Sequence, residues 1–300
     1  MTEVDGDLVV VPRRSIGNVA GTLVVLVLAA MLVHTLVVNP RFEWDVVARY
    51  LTVEAIAAGA LLTIELTAIS MVLGVVLGVL LAVMRLSRNR MLAGISFGFV
   101  WFFRGTPLLI QLIFWFNLSA LYPALSLGIP FGPEFATFSA NAFITPFVAA
   151  VLGLTLNEAA YMAEIVRGGL LGVDRGQTSA AQALGMGRAL TLRWVVLPQA
   201  MRIIVPPTAN QTVAMLKNTS LVSVLGAAEL LHSAQIIYSR TYQTIPLLIV
   251  AALWYLAMTT VLSIGQYYIE RHHRRGDIGG GRIRLRRSKP APVDAMGVPS

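Results

Sequence analysis

The chain has 300 residues, of which 56% are hydrophobic and only 13% charged, and its formal charge is +8. Soluble domains carry about 25% charged residues, so composition excludes an ordinary soluble enzyme and makes an integral membrane protein the first reading. There is no cysteine, which excludes disulfides and thiolate metal sites. The positive charge falls in loops and the C-terminal tail, a distribution that suits membrane orientation rather than nucleic-acid binding.

Residues 1–18 form a polar tail ending in Arg13, Arg14 and a short approach. Val19 to Val38 is an apolar run of the ~20-residue length that crosses a bilayer. A cleaved signal peptide is the competing reading. The run exceeds a usual h-region of ~7–15 residues, however, and no small-residue cleavage site follows. A retained first span is expected, its start held inside by the two arginines. Residues 39–57 then read as an external loop of mixed charge, with Trp44 and Tyr50 suited to the interface.

A second span is expected from Ala58 to Met84. Thr63, Thr67, Ser70, Gly74 and Gly78 recur at helical spacing, and small residues on one stripe let helices approach closely in lipid. Glu65 lies off that stripe and can snorkel to the interface. Arg85, Arg88 and Arg90 make the next turn cytoplasmic. Met91 to Tyr122 is too long for one straight crossing at ~1.5 Å per residue. A break is expected at Gly105-Thr106-Pro107, with either an interfacial first half or a kink at the proline. Pro123 to Ala142, with Gly132, Pro130, Pro133 and Glu134 but no basic residue, reads as an external loop.

The fourth span, Ile144 to Gly169, places Asn157, Tyr161 and Glu164 on one face, with Glu158 beside them. Polar groups in a spanning helix are costly unless they face other helices or a water-filled path, so this helix is the best candidate for a pathway lining. Locally, Glu164 can instead pair with Arg167. The fifth span, Ile203 to Leu225, holds Pro206, Pro207, Asn210, Gln211, Lys217, Asn218, Thr219 and Ser220. Lys217 and Asn218 either help build a path or gate, or Lys217 pairs with Glu158 or Glu65 and fixes packing. Between Gly226 and Thr244, a second external loop, a short helix over Glu229 to Ser239 could receive a delivery protein. Ile245 to Gln266 is the sixth span. The basic tail, 271–300, reads as a cytoplasmic, disordered topology anchor, with binding to anionic lipid as the alternative.

Between spans four and five lies Ser179 to Pro198, SAAQALGMGRALTLRWVVLP. Alanines favour helix, Gly185 and Gly187 interrupt it, Arg188 and Arg193 point to the cytoplasmic side, and Leu197-Pro198 is expected to end the segment. An interfacial amphipathic loop helix is the plain reading. Yet Ala180, Ala181, Gly185, Val195, Leu197 and Pro198 together resemble the cytoplasmic "EAA" loop of ABC-importer permeases, with Ser179 in place of the family's leading glutamate. Arg104 to Gln111, RGTPLLIQ, and Leu156 to Gly169, LNEAAYMAEIVRGG, are similar to phrases of the polar amino-acid branch (histidine, glutamate, glutamine, arginine and opine types). The resemblance covers about Ala58 to Ile269.

It implies an all-α integral membrane fold of six transmembrane helices: a five-helix type I permease core over 58–270, with a coupling loop at 170–202, preceded by one extra helix. Ala183 to Leu192 would be the coupling helix, and Ala180, Ala181, Ala183, Leu184, Gly185, Met186, Gly187, Leu197 and Pro198 the surface that meets an ATPase. The implied pathway residues are Arg104, Thr106, Asn157, Glu158, Tyr161, Glu164, Asn210, Lys217 and Asn218. The implied partners are cytoplasmic ABC ATPase subunits, a second permease chain in a homodimer or heterodimer, an extracytoplasmic amino-acid-binding protein and membrane lipid. The implied location is a bacterial inner membrane with both termini cytoplasmic, and the implied mechanism is alternating access. A phosphate-binding Gly-x-x-x-x-Gly-Lys loop is absent, since the lysines are Lys217 and Lys289, so ATP and magnesium would belong to the partner and no cofactor to this chain. His272-His273 sits in a basic tail unsuited to metal, and no serine nucleophile with a base is visible. A gradient-driven transporter or channel is the alternative, but no internal repeat of the kind such transporters carry is visible.

Overall fold

The computed structural model describes residues 16–129 and 134–274. The N-terminal arginines, the prolines at 130 and 133, and the basic tail from residue 275 lie outside them, while residues 271–274, expected to belong to that tail, continue the last helix.

Helix α1, Ile16–Val38, carries no charged side chain and is exposed along nearly all its length. Its tie to the rest is Trp44 Nε1, which donates to the Leu36 carbonyl at 2.8 Å. A one-turn 3-10 segment, Pro40–Phe42, and α2, Trp44–Tyr50, lead into α3, Glu54–Arg85. All five small residues of the expected stripe on α3 are buried. Their partner is α8, Pro146–Leu171. A Cβ on Gly74 would lie 2.8 Å from the side chain of Glu158, and one on Gly78 would lie 2.5 Å from Cβ of Met162. Contact positions advance together along both helices, so α3 and α8 run parallel, with backbones close enough that only glycine fits.

The long third hydrophobic stretch is two helices, α4, Arg90–Gly105, and α5, Leu108–Phe116, bent by 103° at the break. Pro107 lacks the amide that would continue α4. A turn of helix, α6 (Leu118–Leu121), follows, and then the expected loop contains an antiparallel hairpin, β1 (Ala124–Gly128) with β2 (Glu134–Ser139), before a second single turn, α7 (Ala140–Phe143). This hairpin is the one departure from an all-helical fold among the described residues.

The helix expected over Ala183 to Leu192 is not continuous: one helix ends at Ala183 and a short one occupies Arg188–Thr191. Helix α9 spans Arg175–Ala183, capped by Asp174, whose Oδ1 accepts from the Gly176 amide. It stops because Gly185 is left-handed, at φ +81°. Gly185 N donates to Gln182 O at 2.9 Å and Met186 N to Ala181 O at 3.0 Å, the paired bonds of a Schellman ending. A short α10, Arg188–Thr191, passes through a π-helical turn, Leu192–Val196, into α11, Leu197–Asn218. Leu197-Pro198 therefore lies within a continuing helical run instead of ending one. Pro198 falls just after the π turn, where the hydrogen-bond ladder is already irregular.

A 3-10 segment, Thr219–Leu225, closes α11, and Gly226 at φ +79° turns the chain into α12, Leu230–Thr241. That helix is the one expected from Glu229, and it packs on α3: Leu230 N donates to Thr63 Oγ1 at 3.2 Å. Last comes α13, Thr244–Arg274. By length and composition α1, α3, α8 and α13 can each cross a membrane, and the two bent pairs, α4–α5 and α10-through-α12, raise the number to six. The core is layered along α3 and α8. One cluster joins α2, α3, α12 and α13 through Ile56, Leu230 and Leu247, a second joins α3, α5, α8 and the end of α11 through Leu66, Leu112 and Leu154, and a third seats the start of α11 on the end of α8 through Ile204 and Val166.

Candidate functional site

A cavity of about 530 Å³ opens where the α4–α5 break meets α8 and α11. Its walls are Arg104 to Leu108 from the break, Asn157, Glu158 and Tyr161 from α8, and Gln211, Ala214, Asn218 and Leu221 from α11 and the turn beyond. Six of the nine pathway residues read from the sequence meet here: Arg104, Thr106, Asn157, Glu158, Tyr161 and Asn218.

The break is held open by amides. Gln111 is buried, and its Nε2 donates to Thr106 Oγ1 at 2.7 Å, to Phe103 O at 3.0 Å and to Thr106 O at 3.1 Å. Asn157 Nδ2 reaches the same place, donating to Phe103 O at 3.1 Å and to Gln111 Oε1 at 3.2 Å. The last carbonyls of α4, orphaned by the helix end, are thereby satisfied by two side chains from other helices. Asn157 lines the cavity and also braces it.

The cavity carries one acid and one base. The Arg104 guanidinium lies 5.3 Å from the Tyr161 ring centroid, a cation–π distance. Glu158 is buried, its Oε2 accepts from Gln211 Nε2 at 3.3 Å, and its Oε1 has no partner.

Three expected pathway residues stand elsewhere. Glu164 pairs with Arg167 at 2.6 Å, the local alternative. Asn210 is exposed and accepts from Gln266 of α13 at 2.7 Å. Lys217 is exposed, and among the described residues no ion pair joins it to Glu158 or Glu65. Gln211 and Gln111 are the functional side chains that sequence reading passed over. Spacing alone contained a signal: Gln211, Ala214, Asn218 and Leu221 follow a three–four–three step that puts them on one helical face. Asn210 and Lys217 satisfy the same test one residue out of phase.

A second cavity, about 600 Å³, runs between α3, α8, α11 and α13, and its lining is almost wholly aliphatic. It offers no charged group to a polar solute.

At the far end of α8, the coupling-loop residues form an exposed tip. Leu184 is 83% exposed, Ala180, Ala183, Gly185, Gly187, Leu197 and Pro198 are exposed, Met186 is half-buried, and Ala181 is tucked under. The substituted corner is plain: Ser179 Oγ donates to Arg175 O at 3.2 Å. Leu184 and Gly185 stand at the tip of this exposed knob, which the chain carries between α8 and α11.

Residues 74–275 match the family model for the binding-protein-dependent transport system inner membrane component. The chain belongs to this family, and is an integral membrane transport subunit. Among curated relatives, it is 44% identical over 289 residues to the arginine transport system permease protein ArgU of Corynebacterium glutamicum, covering 95% of this chain and 88% of that one. It is 36% identical to the nopaline transport system permease protein NocM of Agrobacterium fabrum, over 73% of this chain and 88% of that one. Among solved structures, it resembles a crystal structure of an amino acid ABC transporter with histidines, with a TM-score of 0.63 and 34% identity over 73% of this chain and 94% of that one. An inward-facing MetNI methionine ABC transporter shares the fold, with a TM-score of 0.54 and 20% identity over 75% of this chain and 97% of that one.

Proposed function

We propose that this chain is the permease subunit of an ATP-driven importer for a polar amino acid, and that the cavity at the α4–α5 break lies on the substrate's path. The observation that carries the reading is the presence of one cationic and one anionic side chain, Arg104 and Glu158, in a cavity whose remaining polar lining is amides, a hydroxyl and a phenol. A zwitterion presents the matching pair of charges, and buried charges are stable only where they find partners. The printed names of the relatives support an amino-acid substrate.

The reading extends to partners. The knob around Leu184 docks on a cytoplasmic ABC ATPase, which holds the ATP and magnesium, while this chain holds no cofactor and performs no catalysis. A second permease chain completes the path, and an extracytoplasmic binding protein delivers the substrate. Arg85, Arg88 and Arg90 after α3, and Arg167 and Arg175 around the end of the parallel α8, support a cytoplasmic side for those ends. With six crossings, the same reading makes both termini cytoplasmic.

The test is reconstitution into proteoliposomes with an ATPase and binding protein of the same system. ATP-dependent uptake of labelled amino acids is expected. In Gly185→Arg, the chain still inserts but no longer co-purifies the ATPase, and uptake is lost. Uptake without any ATPase present would sink the reading.

A further inference from the structure

Glu158 is under-used by the contacts around it. It is 3% exposed, it is the sole acid lining the cavity, and one of its two oxygens has no donor. Buried carboxylates normally have both oxygens satisfied, because each unmet acceptor forfeits the hydration it gave up. The side chain is also well fixed. Gly74 of α3 leaves the only space its Cβ and Cγ can occupy, at 2.9 and 2.8 Å from where a Gly74 methyl would stand, and Gln211 holds Oε2 from the other side. A carboxylate kept rigid and half-partnered at a cavity wall is a vacant acceptor for a donor that arrives from outside.

Its location says which part of a substrate that donor belongs to. Arg104 stands over Tyr161, three residues and so about 4.5 Å further along α8. Arg104 also sits at the C-terminal end of α4, where the helix dipole is negative, and Gly105 and Thr106 line the cavity there. This one end therefore offers a cation for an α-carboxylate and the negative end of a helix dipole for an α-ammonium. Glu158, on the facing helix, is left for the side chain.

Resting on the reading that an amino acid passes this cavity, we infer that Glu158 is the specificity-determining residue that receives a cationic side chain, guanidinium or primary ammonium, at its free Oε1. Gly74 is its structural complement, since any larger residue there displaces the carboxylate.

The experiment uses the purified chain in lipid nanodiscs and two probes of equal length, L-arginine and L-citrulline, which differ by a charged guanidinium against a neutral urea. The wild type binds arginine the more tightly. Glu158→Gln loses about 10–100-fold for arginine, the worth of a charge-assisted hydrogen bond, while citrulline binding changes by less than about 3-fold, the scatter between neutral hydrogen bonds. Glu158→Asp, which keeps the charge, keeps the preference for arginine. Equal weakening of both probes by Glu158→Gln would assign Glu158 to the α-ammonium or to packing and overturn the inference alone. A wild type that binds neither probe would overturn the amino-acid reading and the inference with it. A second measurement needs no variant: arginine protects Glu158 of the wild type from carbodiimide labelling, read by peptide mass spectrometry, and citrulline does not. Equal protection by both overturns the inference.

Discussion

Asn157 Nδ2 and Gln111 Oε1 meet at 3.2 Å, joining α8 to α5 at the 103° break between α4 and α5. The two amides together take the carbonyls of Phe103 and Thr106, so the bend is specified by side chains and not by Pro107 alone. Proline can end α4, but it cannot choose the direction of α5.

Gln111→Leu fills the same volume and removes three donor contacts. It should lower stability by about 1–3 kcal/mol, the cost of leaving buried carbonyls without donors. A fall in the thermal unfolding midpoint of the detergent-purified chain measures it. Because the break forms a wall of the cavity, substrate binding in nanodiscs should weaken in the same variant. An unchanged midpoint would mean that water replaces the amide without penalty.

The parallel α3–α8 contact predicts an ordered set of glycine effects. In Gly78→Ala the new methyl meets Met162 Cβ at 2.5 Å, a contact that a flexible side-chain end cannot relieve. Overpacking of this kind costs about 1–3 kcal/mol. Gly94→Ala and Gly98→Ala, with nothing within 4 Å, should be neutral or slightly stabilising in their helix. Yield of monodisperse protein separates the two classes, and equal yields would refute the close approach.

Gly185 and Gly187 look alike in sequence and differ in backbone. Gly185 is at φ +81° and Gly187 is at φ −67°. Gly185→Ala should cost about 1 kcal/mol through the left-handed penalty, whereas Gly187→Ala should cost little. Limited proteolysis within Leu184–Gly187 reads the difference, with faster cleavage expected only in Gly185→Ala.

Glu229 is fully buried at the start of α12. Its Oε1 accepts from His232 N at 2.8 Å, and its Oε2 accepts from Leu231 N at 2.9 Å and from the Tyr255 hydroxyl at 2.8 Å. Glu229→Ala should destabilise by about 2–4 kcal/mol, combining a lost N-cap with a lost charge-assisted bond to the Tyr255 hydroxyl. Tyr255→Phe should cost about 1 kcal/mol. The double variant should cost less than the sum, because the shared bond is lost once. Strict additivity in chemical unfolding would show that the two act separately.

Much of this architecture was legible in the residues. The small stripe on α3 is visible because close helix approach demands glycine at four-residue steps, and those positions are the buried ones. The break at Thr106-Pro107 and the short helix after Glu229 were legible because proline chemistry and a capping carboxylate act locally. What failed had non-local causes. Asn210 and Lys217 share a helical face as well as Gln211 and Asn218 do, and only the packing of α11 against α8 and α13 decides which face looks inward. The interruption of the helix expected over Ala183 to Leu192 was not legible because two glycines, twelve and ten residues before Leu197, do not reveal in sequence which of them is left-handed. Gln111 sits in an apolar run where its amide reads as an irregularity, and its role appears only when Asn157 and the end of α4 are brought to it. The β1–β2 hairpin is not foreshadowed by the proline-rich composition around it.

Helix α11 links the exposed knob to the cavity wall, and it is not a uniform rod. A π turn lies before it, and Pro206 and Pro207 remove the amides that would close the rungs from Arg202 and Ile203. Thr208 and Thr212 turn their hydroxyls back onto the carbonyls of Ile204 and Thr208, a bond that bends helices. Compliance is thus concentrated in the roughly six turns between Leu192 and Thr212, whereas the glycine-locked α3–α8 pair beside it is stiff. If an ATPase docks at Leu184 as proposed, a displacement imposed there would turn Gln211 and Asn218 about a built-in elbow, with the Glu158 side of the chamber as the fixed jaw.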